Sequence, residues 1–306
     1  MSNDVSRRRI VVVTGAAGGI GAAIAARFAA EDRVVSMWDL DPAVHETAAT
    51  IAATNANSAH ADSATRMDFS TIAATRNGTD ADVREDEIPA AAAVFDRDAA
   101  HGVVIDITDA EAVHAAFDQL TAEYGTVEVL VHAAGILAGG SALELTVDDW
   151  ARCLNVNATG TMLVTQRAAA DMVAAGRGSI VVVSSNAAAT PRVGMAAYGA
   201  AKAAAAAFTK SLALQVAPLG VRVNLVSPGS TDTTMLRDMF GGTPLDDAAE
   251  TALLDGDPAV YRLGIPLRRI AAPADIASAV HFLASDGARH ITMHDLRVDG
   301  GATLDM

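Results

Sequence analysis

Short apolar runs that alternate with longer helix-favouring runs constrain this chain more than any other feature. "RIVVVTG", "RVVSMWD", "GVVIDITD", "VEVLVHAAG", "GSIVVVSS", "GVRVNLVSPG" and "DLRVDGG" each read as a strand. Helical runs separate them: Ile20 to about Ala30, "DAEAVHAAFDQLTAEYG", a run from about Val147 into the 160s, an Ala-rich run around Tyr198, and "PADIASAVHFLAS". The Val/Ile runs are continuous rather than alternating with polar residues, as expected of strands covered on both faces. Parallel strands need crossover helices. The pattern therefore predicts an α/β fold, a single doubly wound Rossmann-type domain over residues 1–306, with a parallel sheet and helices on both faces.

One stretch breaks the rhythm. Between Asp39 and Asp106 lie 66 residues, where one helix and a turn would suffice. Its middle is rich in Ala, Asp, Thr and Asn and shows no sustained apolar period. An insertion over about Asn55 to Pro89 is expected, loosely packed, with a regulatory or partner role left open. His45, His60 and His101 fall in or beside it without ligand-like clustering, so no metal site is expected.

Composition narrows the remaining classes. The net charge of −15 disfavours nucleic-acid partners. The single cysteine, Cys153, excludes a disulfide framework and reads as a small buried hydrophobe in a reducing compartment. No apolar run approaches the ~20 residues of a membrane span. The opening "MSNDVSRRRI" reads as a short tail before the first strand, whose apolar run is too short for a signal peptide. No membrane association and a cytoplasmic location are therefore expected.

"TGAAGGIG", Thr14 to Gly21, follows a strand and opens a helix. In that context Gly15, Gly19 and Gly21 allow the backbone to approach a pyrophosphate, and the helix N-terminus favours its charge. Asp39 ends the second strand, where a carboxylate accepts hydrogen bonds from a ribose diol and repels a 2′-phosphate. No Lys or Arg stands near it up to residue 65. The expected cofactor is NAD rather than NADP. Asp106, read as the end of the third strand, either holds the adenine edge or caps the next helix.

"SNAAATPRVGMAAYGAAK" runs from Ser185 to Lys202. Tyr198 and Lys202 are four apart in a helix-favouring run, so both fall on one face. Ser185 follows a buried strand. A hydroxyl, a phenol and an ammonium can meet there.

Taken together these motifs resemble the short-chain dehydrogenase/reductase family. "TGAAGGIG" is similar to its TGxxxGxG loop. "HAAG" at His132 to Gly135 resembles its NNAG element, with histidine in first place. Asn157 in "VNATG" matches its asparagine. Ser185, thirteen residues before Tyr198, and YGAAK match its serine and YxxxK pair, and "SPGSTDT" from Ser227 matches PG-x-x-x-T. The resemblance implies a catalytic set of Asn157, Ser185, Tyr198 and Lys202. It implies cofactor contacts from Gly15, Gly19, Ile20, Gly21, Asp39, Asp106, Ala133, Ala134, Gly135, Tyr198, Lys202, Pro228, Gly229 and Thr233.

"VSPGSTDTTML", "LGIPLRRIAAPADIASAVHFLASDGARHIT" and "VDGGATL" further resemble a branch of that family that oxidises a carboxylated cyclohexadiene diol to a catechol. That resemblance implies a small carboxylated diol substrate, with Tyr198 as general base and a pKa drawn toward neutrality by Lys202 and the nicotinamide. Ser185 would hold the substrate oxygen, Lys202 the ribose, and Asn157 a water leading to solvent. Thr233 would hold the carboxamide or cap a helix. Arg192 would grip the carboxylate or remain a solvated loop residue, and Met195 would line the pocket. Met235 to Arg262 would form a lid. A homotetramer is the family's usual assembly. Another short-chain alcohol oxidation, a 3-oxoacyl carrier-protein reductase, and a non-enzymatic nucleotide sensor remain as alternatives.

Overall fold

The computed structural model describes residues 9–31, 33–58, 100–241 and 244–304. Seven strands form one parallel sheet: β1 (Ile10–Thr14), β2 (Val34–Asp39), β3 (Ala100–Val104), β4 (Val129–His132), β5 (Gly178–Val183), β6 (Val221–Pro228) and β9 (Asp295–Val298). Their order is β3-β2-β1-β4-β5-β6-β9. The direction of winding reverses between β1 and β4, whose registers join Thr14 to His132. A crevice at the carboxyl ends of the strands opens at such a reversal.

The Val runs are buried on both faces because β1 to β6 each feed two cores, whereas the edge strand β9 adds Leu296 and Val298 to one of them. Val11 and Val13 face a layer with Phe28, Ile51 and Val280, from α1 (Gly19–Ala29), α2 (Val44–Ser58) and α9 (Pro273–Ala284). Ile10 and Val12 face the opposite layer with Trp38, Phe117 and Met172. That layer includes α3 (Ala110–Tyr124), α5 (Gly160–Ala175) and α6 (Ala196–Val216). Trp38 meets Phe117 edge-on at 4.8 Å, which anchors β2 to α3. Successive side chains leave a strand on opposite sides, so one apolar run serves both layers.

Three expectations shift. The helix from Val147 is longer than read and is interrupted. α4 (Val147–Leu154) passes through a π-helical turn (Asn155–Thr159) into α5, which ends at Ala175. β3 stops at Val104, so Asp106 lies beyond the strand rather than at its end. Nothing in the Val-Ile-Asp spelling marks that stop. α2 continues through Ser58, so residues 55–58 of the expected insertion are helical. The rest of that insertion, His60 and the first eight residues lie outside the described residues.

α7 (Thr234–Asp238), α8 (Asp247–Asp255) and a small antiparallel hairpin, β7 (Gly256–Asp257) with β8 (Arg262–Leu263), follow β6. Asp246 caps α8 by accepting from the Ala249 amide at 2.7 Å. This is the segment read as a lid. It packs over the carboxyl end of the sheet, and Leu254 O accepts from Ile265 N at 2.9 Å where the chain rejoins the body.

Candidate active site

The loops at the carboxyl ends of β1, β4, β5 and β6 converge on a cavity of about 250 Å³. Ser185, Tyr198 and Lys202 line it together, where the sequence allowed them to meet. Arg192 and Met195 line it from the loop between β5 and α6, and Ile20, Ala133, Gly135, Pro228, Gly229 and Thr233 line it from the side where a cofactor is expected. Gly15, Gly19, Gly21, Asp39, Asp106 and Ala134 lie outside this cavity. Asp39, at the end of β2, is tied to the glycine loop by a hydrogen bond from the Ala17 amide at 2.8 Å.

Each of these side chains is placed by its local structure. The Ala-rich run gives α6 good helix propensity and small side chains that let it pack closely. Tyr198 and Lys202 both lie on its buried face. Lys202 Nζ donates to Val183 O at 3.1 Å and stands 5.8 Å from the centre of the Tyr198 ring. Ser185, two residues beyond β5, accepts from the Ala187 amide at 3.1 Å, starting a short helical turn. Its hydroxyl is also a hydrogen-bond partner of the Tyr198 phenol.

Asn157 sits in the π turn, fully buried behind the cavity. Its amide nitrogen donates to Ile136 O at 2.9 Å and Cys153 O at 3.0 Å, and its oxygen accepts from Ile136 N at 3.3 Å. Its side chain thus joins the helix to the loop after β4. Gly135 makes room for this: a Cβ there would stand 2.6 Å from Asn157 Oδ1 and 3.2 Å from Lys202 Nζ. A π turn of this kind is a local defect that helices tolerate where it re-aims a residue, and it recurs at functional sites. Sequence spacing alone does not show it. Cys153 is fully buried and packs with Tyr198 and Ala201 in a small apolar cluster, as a buried hydrophobe should.

Electrostatics differ from the expected pattern. Burial pushes the Tyr198 phenol up to about 12, with the Ser185 hydrogen bond opposing it. The chain's own groups therefore do not draw it toward neutrality. Burial also lowers Lys202, to about 8. An ammonium at this depth has three donors, and among the described residues only Val183 O accepts from it. A partner for the other two donors would offset its desolvation.

Thr233 accepts from the Leu236 amide at 3.3 Å and so caps α7 while facing the cavity. Asp106 accepts from Thr108 N and Oγ1, both at 2.8 Å, and the cap of α3 is Asp109 instead. His132 is buried beneath the site. Thr14 Oγ1 accepts from the Ala133 and Ala134 amides at 3.1 and 3.2 Å, so its proton goes to His132 Nδ1 at 2.9 Å. Among the described residues His132 Nε2 has no hydrogen-bond partner.

A nicotinamide dinucleotide fits these residues. Gly15 adopts a left-handed φ of +68°, and its missing Cβ would meet the Ala134 backbone at 2.7 Å. A side chain at Gly21 would overlap the Gly15 carbonyl. Two glycines therefore keep the loop flat against the N-terminus of α1, where a phosphate is favoured. The unmatched donors of Lys202 suit ribose hydroxyls, and Asp39 keeps lone pairs free beyond its two backbone amides.

One charged side chain of the cavity does not stand out in the sequence. Arg262, on β8, lines the cavity with Arg192. The segment Met235–Arg262 also carries Arg237, so charge alone did not mark it.

Among the described residues no helix is long and apolar enough to cross a membrane, and no cluster of three or more metal-ligating side chains occurs. A family model described as enoyl-(acyl carrier protein) reductase matches residues 71–303. The chain is 45% identical over 201 residues to the vibriobactin-specific 2,3-dihydro-2,3-dihydroxybenzoate dehydrogenase of Vibrio cholerae, covering 66% of this chain and 75% of that one. It is 35% identical over 300 residues to the 2,3-dihydro-2,3-dihydroxybenzoate dehydrogenase of Bacillus subtilis, covering 97% and 96%. The solved structure of gox2181 superposes with a TM-score of 0.72 at 26% identity, covering 96% and 95% of the two chains. With its glycine loop, its Ser185–Tyr198–Lys202 cluster and these relatives, the chain belongs to the short-chain dehydrogenase/reductase family.

Proposed function

We propose that this protein is an NAD-dependent dehydrogenase that oxidises 2,3-dihydro-2,3-dihydroxybenzoate to 2,3-dihydroxybenzoate, as the names of its relatives suggest, in the formation of a catecholate siderophore. The observation that carries the reading is one cavity lined by Ser185, Tyr198 and Lys202 on one side and by two arginines and apolar side chains on the other. A sensor of bound nucleotide has no use for the first set.

Gly15, Gly19, Ile20, Gly21, Ala133, Ala134, Gly135, Pro228 and Gly229 would hold the cofactor, with Asp39 on the adenosine ribose and Lys202 on the nicotinamide ribose. The nicotinamide, when bound, supplies the hydride acceptor. Ser185 fixes the reacting hydroxyl by a hydrogen bond. Tyr198 takes its proton as the carbinol carbon gives up hydride. Lys202 and the positive charge of the oxidised cofactor favour the phenolate against burial. Asn157 holds the π turn and the loop after β4 in place, and a water at that turn would connect Lys202 to solvent. The ketone so formed tautomerises to an aromatic catechol, which makes oxidation the favoured direction. Thr233 orients the carboxamide while capping α7. Arg192 faces the carboxylate, and Met195 the ring.

A homotetramer in the cytoplasm is part of the same proposal, and size-exclusion chromatography with light scattering checks the assembly. The reaction is tested by NADH formation from 2,3-dihydro-2,3-dihydroxybenzoate with NAD and, separately, NADP. Turnover with NAD, at least about 10-fold better than with NADP because Asp39 repels a 2′-phosphate, is expected. Cofactor binding without turnover of this diol would overturn the substrate assignment.

A further inference from the structure

We propose that Arg262 joins Arg192 to make a two-guanidinium receptor for the carboxylate of the substrate, with Arg262 as a specificity-determining residue. This deepens the proposed reaction. It rests on that reading for the identity of the ring, but not for the charge of the group bound.

The two arginines reach one cavity from distant parts of the chain. Arg192 comes from the loop before α6, and Arg262 from the hairpin after α8. Among the described residues neither lies within 4 Å of a carboxylate oxygen. Other arginines near the hairpin behave differently. Arg237 pairs with Asp232 at 2.7 Å, Arg268 with Asp255 at 2.6 Å and Arg269 with Asp275 at 2.6 Å. Where this segment uses an arginine to hold itself together, it supplies a carboxylate. Arg262 has, among the described residues, only the hydroxyl of Ser230 from the loop after β6, which accepts from Nη2 at 3.0 Å and fixes the side chain in the cavity.

Charge makes the arrangement costly unless it is used. Burial disfavours both guanidinium cations, and Arg192 further disfavours that of Arg262 by like-charge repulsion. Asp299 attracts Arg192 without forming a close pair. Asp299 is itself engaged with Asn186 and with the Gly301 amide at 3.0 Å. Two partly desolvated cations sharing a cavity await an anion. Met235, Leu236, Met239, Val260 and Leu263 supply the remaining wall beside them, which suits a flat ring rather than a phosphate or a polyol. An anionic group on an apolar ring, with the reacting hydroxyl at Ser185 and Tyr198, satisfies the whole cavity. Guanidinium forks match a carboxylate by paired hydrogen bonds, so two of them fix its plane as well as its position.

The test uses the NADH-loaded protein and two probes of equal shape, benzoate and benzamide, titrated by calorimetry. Wild type is expected to bind benzoate at least about 10-fold more tightly than benzamide. Arg262→Met should lose about 10- to 100-fold in benzoate affinity, the range of a hydrogen bond to a charged group, while benzamide and NADH affinities stay within about two-fold. Arg262→Lys, which keeps the charge but not the fork, should fall between. Arg192→Met should reproduce the loss independently of the hairpin. Unchanged benzoate affinity in Arg262→Met, or an equal loss for benzamide, would overturn the proposal. Failure of wild type to oxidise the dihydrodiol, with the benzoate preference intact, would remove the proposed reaction and leave the receptor standing.

Discussion

The two sides of the cavity are built in opposite ways. The side that would perform chemistry is held by regular elements: Ser185 caps the short helical turn that follows β5, Tyr198 and Lys202 share one buried face of α6, and Asn157 in the π turn is held by three hydrogen bonds. The side that would choose the substrate is made of loops, a short helix and a two-residue-per-strand hairpin that carry Arg192, Met235 and Arg262. A proton transfer tolerates little displacement, so its groups sit on the scaffold. Selection among ring substrates needs only complementary charge and shape, so it can sit on segments that vary without disturbing the sheet.

If that division holds, variants on the first side change kcat and variants on the second change KM. The largest effect is expected at Tyr198. Tyr198→Phe should lower kcat by at least the ~10²–10⁴-fold typical of a general base, while NAD and benzoate affinities stay within about three-fold. Loss of benzoate binding in that variant would merge the two sides. Next comes Gly21→Ala. The added methyl collides with the Gly15 carbonyl, so the loop must shift. A loss of about 1–3 kcal/mol in unfolding free energy is expected. At least about 10-fold weaker NAD binding should accompany it in an isothermal titration. Wild-type cofactor affinity would contradict the close packing of that loop.

The smallest effect concerns the sheet beneath the site. Burial holds His132 at about 3 and His101 at about 4, so both are neutral in the native protein. Below about pH 6.5 the unfolded chain takes up protons that the native one refuses. Stability should therefore be full above that pH and fall as the pH drops toward about 4, by up to ~1.4 kcal/mol per pH unit for each histidine. His132→Asn should flatten the slope of unfolding free energy between about pH 6 and 4.5 by about that amount, read from urea midpoints. An unchanged slope would show that His132 is not held neutral.

Much of this was legible in the sequence. Continuous Val runs named the parallel sheet because a strand covered on both faces cannot alternate. Tyr198 and Lys202 were readable because helical spacing fixes their common face, and Gly15 and Gly21 because the turn between β1 and α1 admits no side chain. What escaped depends on contacts between distant segments. The π turn at Asn157 leaves no mark in residue spacing. The end of β3 at Val104 is set by its pairing with β2 rather than by composition. Arg262 looks like any other charged residue of an acidic stretch until the hairpin brings it to Arg192, about seventy residues earlier in the chain.

The most direct test of this division is a comparison of steady-state kinetics on two substrates, 2,3-dihydro-2,3-dihydroxybenzoate and the same cyclohexadiene diol without its carboxylate, at saturating NAD. The Ser185–Tyr198–Lys202 side meets the same hydroxyl in both, so kcat values within about three-fold are predicted. The guanidinium side meets an anion in only one, so kcat/KM should favour the carboxylated diol by about 10²-fold or more. Equal KM values for the two diols would contradict the account.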